Sequence, residues 1–234
     1  MIRTLLSRRL QGCPQTVELL ADIDLPSLKL AGIAGIILDL DNTVVSEDDC
    51  WLSPNAYDWI EQAKRQGFKL FMLSNGKRGD RVRYWSKLLN ILAISPARKP
   101  FPRSFRKALQ KMRLSRHCVV VIGDSFHTDV VGAWLCGCYA IQVASLPHPP
   151  RVWERYIGGM VHIPYPRHRP LPSFERQAFE QLLEQQRLER LALKQPDLDR
   201  LDLEPPDLDR PDLDLPDLDP PETERTLPPY QSLT

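Results

Sequence analysis

The stretch I-I-L-D-L-D-N-T-V-V, residues 36–45, decides how this chain folds. A short apolar run bounded by polar turn residues is typical of a buried strand in a parallel sheet. Ligands of such sheets bind beyond the carboxyl ends of the strands, so Asp39 and Asp41 are predicted to lie at the mouth of a sheet. Residues two apart on a strand face the same side, and close carboxylates repel unless a cation or a proton separates them. Taken alone, the stretch fits either a chemical site or a strand-to-turn junction.

Strand-like and helix-like segments alternate along the chain after this run. The predicted strands cover residues 68–73, 91–94, 118–122 and 139–143, and the predicted helices cover 54–66, 80–89, 103–112 and 129–134. This alternation with short connections predicts an α/β fold, a doubly wound (Rossmann-like) parallel sheet with helices on both faces. Ahead of the run, residues 16–21 are predicted to be helical and residues 22–26 to form a polar turn.

Polar side chains follow several of the predicted strands. They are Asp39 and Asp41, Ser74 and Asn75, Lys99, and Asp124 with Asp129. Parallel strands end at the same edge of a sheet, so these side chains are expected to lie together. Phosphoryl transfer through a covalent intermediate needs a carboxylate nucleophile, an acid/base, donors and a cation for the phosphoryl oxygens, and carboxylates for a hard metal. The set contains all of these groups.

The order of these residues resembles the motifs of a known superfamily. D-L-D-N-T at 39–43, S-N at 74–75, K-P at 99–100 and G-D-S-F-H-T-D at 123–129 are similar to the four motifs of the haloacid dehalogenase (HAD) phosphatases. Within them the chain resembles the capless IIIA subclass and its YqeG family, which is related to phosphatidylglycerophosphate phosphatases of bacteria, mitochondria and plastids. The resemblance covers about residues 10–165.

This resemblance implies catalytic roles for individual residues. Asp39 attacks phosphorus and becomes an aspartyl-phosphate, and Asp41 protonates the leaving oxygen and then activates water. Ser74 donates to a phosphoryl oxygen, and Lys99 neutralises charge on the nucleophile and the phosphoryl group. The substrate-binding residues implied in this way are Thr43, Ser74, Asn75 and Lys99.

The resemblance also implies a magnesium site. Mg²⁺ is expected to be held by Asp39, Asp124 and the backbone carbonyl of Asp41. Asp129 is expected to orient Lys99 or a metal-bound water. Mg²⁺ and a lysine would remove the repulsion between a carboxylate nucleophile and an anionic phosphate.

The chain departs from the family pattern at two places. Ser125, Phe126 and His127 occupy the middle of the last motif, where His127 is expected to pack as a loop residue. The S-N pair is followed by Gly76, Lys77 and Arg78. The basic side chains of Lys77 and Arg78 either contact the substrate phosphate or are simply solvated.

Spacing predicts that the fold carries no cap domain. A cap needs on the order of 50 residues, and neither the interval 45–68 nor the interval 75–99 has that room. An uncapped site can admit a phosphate on a lipid head group, a protein or a nucleic-acid end. Residues 1–172 are predicted to form the phosphatase domain, with its core at about 13–165. A C-terminal helix is predicted at 173–194 and a disordered acidic Pro/Leu/Asp repeat tail at 195–234.

Charge and cysteine usage limit the other classes of function. The formal net charge is +1, but residues 1–172 have an excess of basic residues and residues 173–234 an excess of acidic ones. The five cysteines have no metal-ligand spacing, so reduced thiols in a cytosolic protein are expected. No apolar run approaches the roughly 18 residues of a membrane span, and no secretion signal is recognised. The basic residues are dispersed, which argues against nucleic-acid binding.

A peripheral membrane contact is a further expectation. Residues 1–10 interleave apolar and basic side chains and either touch an anionic inner membrane face or pack on the domain. The expected location is cytoplasmic, the expected partner is a phosphorylated substrate with an anionic phospholipid head group, and the acidic tail has no identified partner.

Three functions compete at this stage. The first is an Mg²⁺-dependent phosphomonoester hydrolase that converts phosphatidylglycerophosphate to phosphatidylglycerol. The second keeps this chemistry but acts on a soluble or macromolecular phosphomonoester. The third is a non-catalytic protein of the same fold that binds a partner, against which the intact set Asp39, Asp41, Lys99 and Asp124 argues.

Overall fold

A computed structural model describes residues 15–150, 152, 154–171 and 173–192. The strands in these residues are β1 (Thr16–Val17), β2 (Gly35–Leu38), β3 (Lys69–Leu73), β4 (Leu92–Ile94), β5 (Val119–Gly123), β6 (Tyr139–Ser145) and β7 (Ile163–Pro164). The α-helices are α1 (Leu25–Leu30), α2 (Ala56–Arg65), α3 (Gly79–Leu88), α4 (Pro102–Met112), α5 (Val131–Cys136), α6 (Glu154–Val161) and α7 (Arg176–Ala192). The predictions for residues 1–10 and for the tail at 195–234 lie outside the described residues.

The described strands form one parallel arrangement in the order β1-β6-β5-β2-β3-β4, with β7 beside β6. The chain runs outward from β2 to β4 on one side and returns to β5 and β6 on the other. The strand order therefore reverses between β2 and β5, which is where doubly wound sheets open a ligand crevice. Leu38 of β2 is in register with Met72 of β3 and Ile122 of β5, so these three strands end at the same level.

Both faces of the sheet are covered by helices. Alternate side chains of β2 point to opposite faces: Ile36 and Leu38 belong to one buried cluster and Ile37 to the other. Helices α1, α2 and α3 contribute to the first cluster, and α4 and α5 contribute to the second. The predicted doubly wound α/β fold is confirmed.

The connections between the central strands contain no cap domain. Every residue from 35 to 94 is described, and α2 is the helix between β2 and β3, while α3 is the helix between β3 and β4. The carboxyl edge of the sheet is therefore not covered by an inserted domain from this part of the chain.

The prediction for the segment ahead of β2 was wrong. Residues 16–17 form the edge strand β1 beside β6, and Leu20–Asp22 form a short 3-10 helix. The stretch predicted as a turn instead starts α1, because the Asp24 side chain accepts a hydrogen bond from the backbone N–H of Ser27 (2.9 Å) and a proline occupies the first turn. An aspartate followed by proline is a helix-start signature as well as a turn signature.

The C-terminal part divides from the rest. Among the described residues, those from 15 to 183 belong to one compact unit, and residues 184–192, the end of α7, belong to another. Helix α7 falls within the predicted range 173–194. Among the described cysteines, Cys50, Cys118, Cys136 and Cys138 are unpaired. None of the described helices has the length and apolar character needed to cross a bilayer.

Candidate active site

Asp39 lies at the end of β2 and is fixed there by the neighbouring strand. Its backbone N–H donates to the carbonyl of Ile122 (2.9 Å), and its Oδ1 accepts from the backbone N–H of Leu40 (2.8 Å). The residue is only 6% exposed. Its carboxylate is therefore held in one place at the floor of the crevice.

The turn after Asp39 depends on Asn42. This residue has φ of 60°, a left-handed conformation that asparagine tolerates better than most residues. Its N–H donates to the Val45 carbonyl (2.7 Å), and its side-chain Oδ1 accepts from the Glu47 N–H (2.9 Å). The asparagine of the D-L-D-N-T motif thus closes the turn that carries Asp41 over the end of the sheet.

Asp41 has partners different from those of Asp39. Its carboxylate accepts from Ser74 Oγ (2.7 Å) and forms an ion pair with Arg81. Arg81 also bonds Asp49 (2.8 Å) and the carbonyl of Ser46 (2.7 Å), and it is buried. The charge of Asp41 is therefore balanced by Arg81, whereas the cation beside Asp39 is Lys99.

Arg81 was missed by the sequence reasoning. It lies on α3 four residues before Trp85, which is fully buried, so both share the inward face of the helix. A basic residue on the apolar face of a predicted helix was the available signal.

Lys99 connects Asp39 to Asp129. Its Nζ lies 2.6 Å from Asp39 Oδ1 and 2.7 Å from Asp129 Oδ1. Burial alone would lower the pKa of the Lys99 ammonium, but the carboxylates of Asp129 and Asp39 outweigh burial and raise it. The lysine is therefore a permanent cation between two buried carboxylates.

Asn75 holds the main chain of Lys99. Its Oδ1 accepts from the Lys99 N–H (2.7 Å), and its Nδ2 donates to the Lys99 carbonyl (3.1 Å). Asn75 lines the crevice, as expected for a substrate-binding residue, but its amide is also engaged in positioning the lysine.

Asp124 is held on several sides. Its Oδ2 accepts from Ser145 Oγ (2.7 Å), its carbonyl accepts from Gln142 Nε2 (2.9 Å), and its N–H donates to Thr43 Oγ1 (2.9 Å). Thr43 is buried and is not among the residues that line the crevice. In this structure the Thr43 hydroxyl positions Asp124, and the binding of substrate by Thr43 stays a prediction.

Asp129 reaches the site through an irregular turn. Residues Phe126–Val130 form a π-helical turn ahead of α5, whereas residues 129–134 were predicted to be α-helical. Gly123 permits this turn, since a Cβ at that position would lie 2.4 Å from Asp129 Cγ. Single π-turns occur often at functional sites, and this one brings Asp129 to Lys99.

Three of the carboxylates could hold a metal ion together. Oxygens of Asp39, Asp124 and Asp129 all lie within 4.8 Å of one another, and all three residues are buried. Burial raises the pKa of the Asp39 carboxyl well above its usual range, against the opposing effect of Lys99, and burial also raises the pKa of Asp129. Concentrated buried carboxylates of this kind are stabilised by a cation. The side chain of Asp41 is not part of this group.

The cluster has suitable dimensions for Mg²⁺. Each Mg²⁺–oxygen distance is about 2.1 Å, so two opposite ligands are about 4.2 Å apart. Oxygens within 4.8 Å of one another reach this spacing with small side-chain adjustments. Hard carboxylate oxygens are also the donors that Mg²⁺ prefers.

The carboxylates open into a crevice of about 100 Å³. Its lining consists of Asp39, Asp41, Asn42, Asn75, Gly76, Lys99, Asp124, Ser125, His127, Thr128, Glu154 and His162. This lining of carboxylates, amides and a lysine suits a small anionic group, such as a phosphoryl group bound beside a cation.

Two histidines and Glu154 lie at the rim of this crevice. His162 Nδ1 is 3.1 Å from Asp124 Oδ2, and the ring of His127 packs at right angles to that of His162 with centroids 6.3 Å apart. Burial alone would lower the pKa of His162, but Asp124 and Glu154 raise it. His127 thus borders the site instead of only packing in its loop. His162 and Glu154 carried no motif that sequence reasoning could use.

Comparisons with known proteins agree with this geometry. A family model described as haloacid dehalogenase-like hydrolase matches residues 11–134. The protein named probable phosphatase YqeG of Bacillus subtilis is 40% identical over 119 residues, which cover 51% of this chain and 69% of that protein. Glyceraldehyde 3-phosphate phosphatase of Methanothermobacter thermautotrophicus is 29% identical over 39% of this chain and 44% of its own.

The chain is also similar to a protein of known structure. The crystal structure of an uncharacterized protein from Listeria monocytogenes aligns with a TM-score of 0.41 at 21% identity, over 51% of this chain and 85% of that chain. The family model alone covers more than half of the present sequence. This chain belongs to the haloacid dehalogenase-like hydrolase family.

Proposed function

We propose that this protein is an Mg²⁺-dependent phosphatase of the IIIA, YqeG-like type that hydrolyses phosphomonoesters through an aspartyl-phosphate, with phosphatidylglycerophosphate as its substrate. The observation that carries the proposal is the placement of Asp39. It is a buried carboxylate, 2.6 Å from a lysine and within a cluster of metal-capable carboxylates, at the floor of the crevice.

In the first half of the reaction Asp39 acts as the nucleophile. One of its oxygens attacks phosphorus, and the bond from phosphorus to the ester oxygen breaks. Asp41 enters this step in its protonated form and gives its proton to the leaving oxygen, so the alcohol departs neutral. The ion pair with Arg81 then stabilises the carboxylate that the second half needs. Lys99 offsets negative charge on Asp39 and on the phosphoryl oxygens, which otherwise repel each other.

In the second half the phosphate leaves Asp39. Asp41, now a carboxylate, takes a proton from water, and the resulting hydroxide attacks phosphorus. Inorganic phosphate is released and Asp39 is regenerated. Ser74 bonds Asp41 at 2.7 Å and fixes its direction.

The carboxylates of Asp39, Asp124 and Asp129, with the backbone carbonyl of Asp41 as the further ligand, would hold Mg²⁺. When bound, the ion supplies positive charge that stabilises the phosphoryl oxygens in the transition state. The roles of Asp124 and Asp129 are to present their oxygens in fixed positions, which the contacts to Ser145 and Lys99 secure.

A lipid substrate is supported by the surface beside the crevice. Glu154, at the start of α6, lines the crevice, and the same helix exposes Tyr156 (84%) and Met160 (81%) one turn apart. Val152, just before the helix, is 76% exposed, and Arg155 is exposed between these apolar residues. An apolar stripe with a basic residue is the composition that lies in the head-group region of an anionic bilayer. The phosphate of a lipid at that bilayer could enter an uncapped site.

The direct test measures phosphate release by the full chain. Phosphatidylglycerophosphate in mixed micelles and an aryl phosphate are assayed with Mg²⁺ and with a chelator, for the wild type, Asp39→Asn and the exposed-aspartate control Asp58→Asn. We expect Mg²⁺-dependent turnover that Asp39→Asn abolishes and Asp58→Asn retains. A covalent phosphate on Asp39 should be detected by mass spectrometry after acid quenching.

The outcomes separate the alternatives. Turnover of soluble esters without turnover of the lipid would support a soluble or macromolecular substrate. Turnover that persists in Asp39→Asn would contradict the nucleophile. No Mg²⁺-dependent turnover of any phosphomonoester would favour a non-catalytic protein of this fold.

A further inference from the structure

A second groove adjoins the phosphoryl crevice. We call it the basic groove; it has a volume of about 430 Å³ and is lined by Asp41, Glu47, Asn75, Gly76, Lys77, Arg78 and Arg81. Asp41, Asn75 and Gly76 line both spaces, so the groove is continuous with the crevice. The crevice has less than a quarter of the volume of the groove, so we expect the larger part of a bound ester to extend beyond the crevice. The basic groove is a path of sufficient size.

The cations of this groove differ in how far they are neutralised. Arg81 is paired with two carboxylates, those of Asp41 and Asp49. Lys77 and Arg78 are exposed, and neither forms an ion pair with any described residue. The guanidinium of Arg78 instead donates to the backbone carbonyl of Glu47. Two positive charges beside the crevice therefore remain available to an anion.

The main chain that carries these cations is fixed to the catalytic residues. The N–H of Gly76 donates to Ser74 Oγ (2.9 Å), and the carbonyl of Gly76 accepts from Ser95 Oγ (2.8 Å). The N–H of Gly79 donates to the Lys77 carbonyl (3.1 Å). Lys77 and Arg78 thus project from a segment anchored at Ser74, which itself bonds Asp41, the proposed proton donor to the leaving group. They lie on the leaving-group side of the site.

We propose that Lys77 and Arg78 bind a second anionic group of the substrate, so that the enzyme selects phosphomonoesters whose leaving group carries a further phosphate or phosphodiester. This rests on the proposed phosphatase function, which supplies the direction of the leaving group. The chemistry is shared by a lipid with a phosphodiester next to the terminal phosphate and by a soluble bisphosphorylated polyol. Each cation would form an exposed ion pair with the second anion. Such a pair increases affinity up to about fivefold, and a hydrogen-bonded phosphate increases it further.

The test compares substrates with one and two anionic groups. The probes are a water-soluble short-chain glycerophospholipid with a terminal phosphomonoester, a soluble bisphosphorylated polyol and an aryl phosphate. The variants are Lys77→Ala, Arg78→Ala and the double variant, with Lys87→Ala and Arg83→Ala as controls that remove exposed cations from the adjoining helix α3 away from the groove. Circular dichroism and thermal unfolding verify that each variant is folded.

For the double variant we expect KM for the two-anion substrates to rise about tenfold with kcat nearly unchanged, because binding and not chemistry is affected. KM and kcat for the aryl phosphate should stay within about twofold of wild type. The controls should resemble wild type for every substrate, and the difference between wild type and double variant should shrink in high salt. If KM rises in the double variant for both two-anion probes, the groove recognises the second anion in a lipid and in a soluble polyol alike. If KM rises for only one of them, that probe shows which kind of substrate the groove accepts.

Binding measured by calorimetry on the Mg²⁺-loaded full chain separates this inference from the proposed function. If no probe is turned over but the two-anion probes bind tightly only when Lys77 and Arg78 are present, the phosphatase proposal fails and only the anion-binding role of these two residues holds. If the aryl phosphate is turned over and the double variant treats all probes alike in both assays, the inference is overturned. Equal losses for the one-anion and two-anion probes would overturn it too.

Discussion

At the scale of one residue, Lys99 balances the negative charge of two buried carboxylates. It separates two carboxylates, Asp39 and Asp129, at 2.6 and 2.7 Å in a buried position. Removing one partner of a buried ion pair leaves uncompensated charge and is far more destabilising than the pair is stabilising. The lysine is therefore expected to be required for stability as well as for catalysis.

Replacing Lys99 by methionine tests both roles. We expect the free energy of unfolding in chelator to fall by about 3–5 kcal/mol and kcat to fall by at least about 100-fold. Adding Asp129→Asn removes one of the stranded carboxylates and should recover part of the stability but none of the activity. Urea unfolding and steady-state kinetics measure the two effects. A double variant as unstable as Lys99→Met alone would mean that lost packing, and not charge, causes the instability.

Arg81 is a positioning residue whose role depends on its shape. Its guanidinium bonds Asp41, Asp49 and the Ser46 carbonyl at once, which a lysine ammonium cannot reproduce in the same geometry. We expect Arg81→Lys to lower kcat about tenfold or more while KM changes less than about threefold. The substitution would leave Asp41 without a fixed orientation but would not change the site that binds the substrate. Arg83→Lys, an exposed change on the same helix, should leave both constants unchanged. A rise in KM at constant kcat would instead assign Arg81 to substrate binding.

Sequence reasoning located the residues that follow strands and missed those that come from elsewhere. Asp39 and Asp124 follow β2 and β5 directly, so the sheet itself determines where they lie. Arg81 comes from a helix and His162 from the end of another, and their approach depends on how those helices pack. No local pattern in the sequence encodes that packing.

At the scale of the element, Gly123 explains why β5 can end beside Asp129. A Cβ at this position would lie 2.4 Å from Asp129 Cγ and 2.6 Å from its Oδ2, so any side chain forces Asp129 away. Displacing Asp129 also removes one of the two carboxylates that hold Lys99.

Gly123→Ala should therefore impair activity without altering any catalytic side chain. We expect kcat to fall about 100-fold, because a displacement of about 1 Å in an active-site group can lower the rate by this factor. The rise in melting temperature on adding Mg²⁺ should become smaller as the carboxylate cluster is disturbed. Gly159→Ala is the matched control, because a Cβ there meets nothing within 4 Å. Wild-type kinetics for Gly123→Ala would show that Asp129 need not stay where the structure places it.

The elements themselves were predictable to different degrees. The central strands could be predicted because a strand buried on both faces is a short, nearly continuous apolar run. The helices that cover them could be predicted from apolar residues spaced three and four apart. The segment ahead of β2 was predicted wrongly, since a two-residue edge strand has too little periodicity to recognise and its pairing with β6 is set by tertiary packing. The π-turn before α5 was also unpredictable, because it results from the close approach of Asp129 to Gly123 and not from helix propensity.

At the scale of the whole molecule, helix α6 carries both a residue of the crevice and the exposed apolar residues Tyr156 and Met160. Glu154 begins the helix and lines the crevice. Docking of α6 on an anionic bilayer would bring the crevice, which the first residue of the helix lines, close to the lipid surface.

The double variant Tyr156→Ser/Met160→Ser tests this arrangement. Each side chain is more than four-fifths exposed in the described part of the chain, so the fold should lose little stability when both are replaced. Partial burial of each in a bilayer is worth roughly 1 kcal/mol or more, so binding to anionic vesicles should weaken at least about tenfold. Turnover of phosphatidylglycerophosphate in those vesicles should fall in proportion, while turnover of an aryl phosphate should not change. Leu30→Ser is the matched control, because Leu30 is 90% exposed on α1, a helix that contributes no residue to the crevice. Vesicle binding that is equal in the wild type and the double variant would contradict a membrane role for this helix and leave the open, uncapped site as the remaining support for a large substrate.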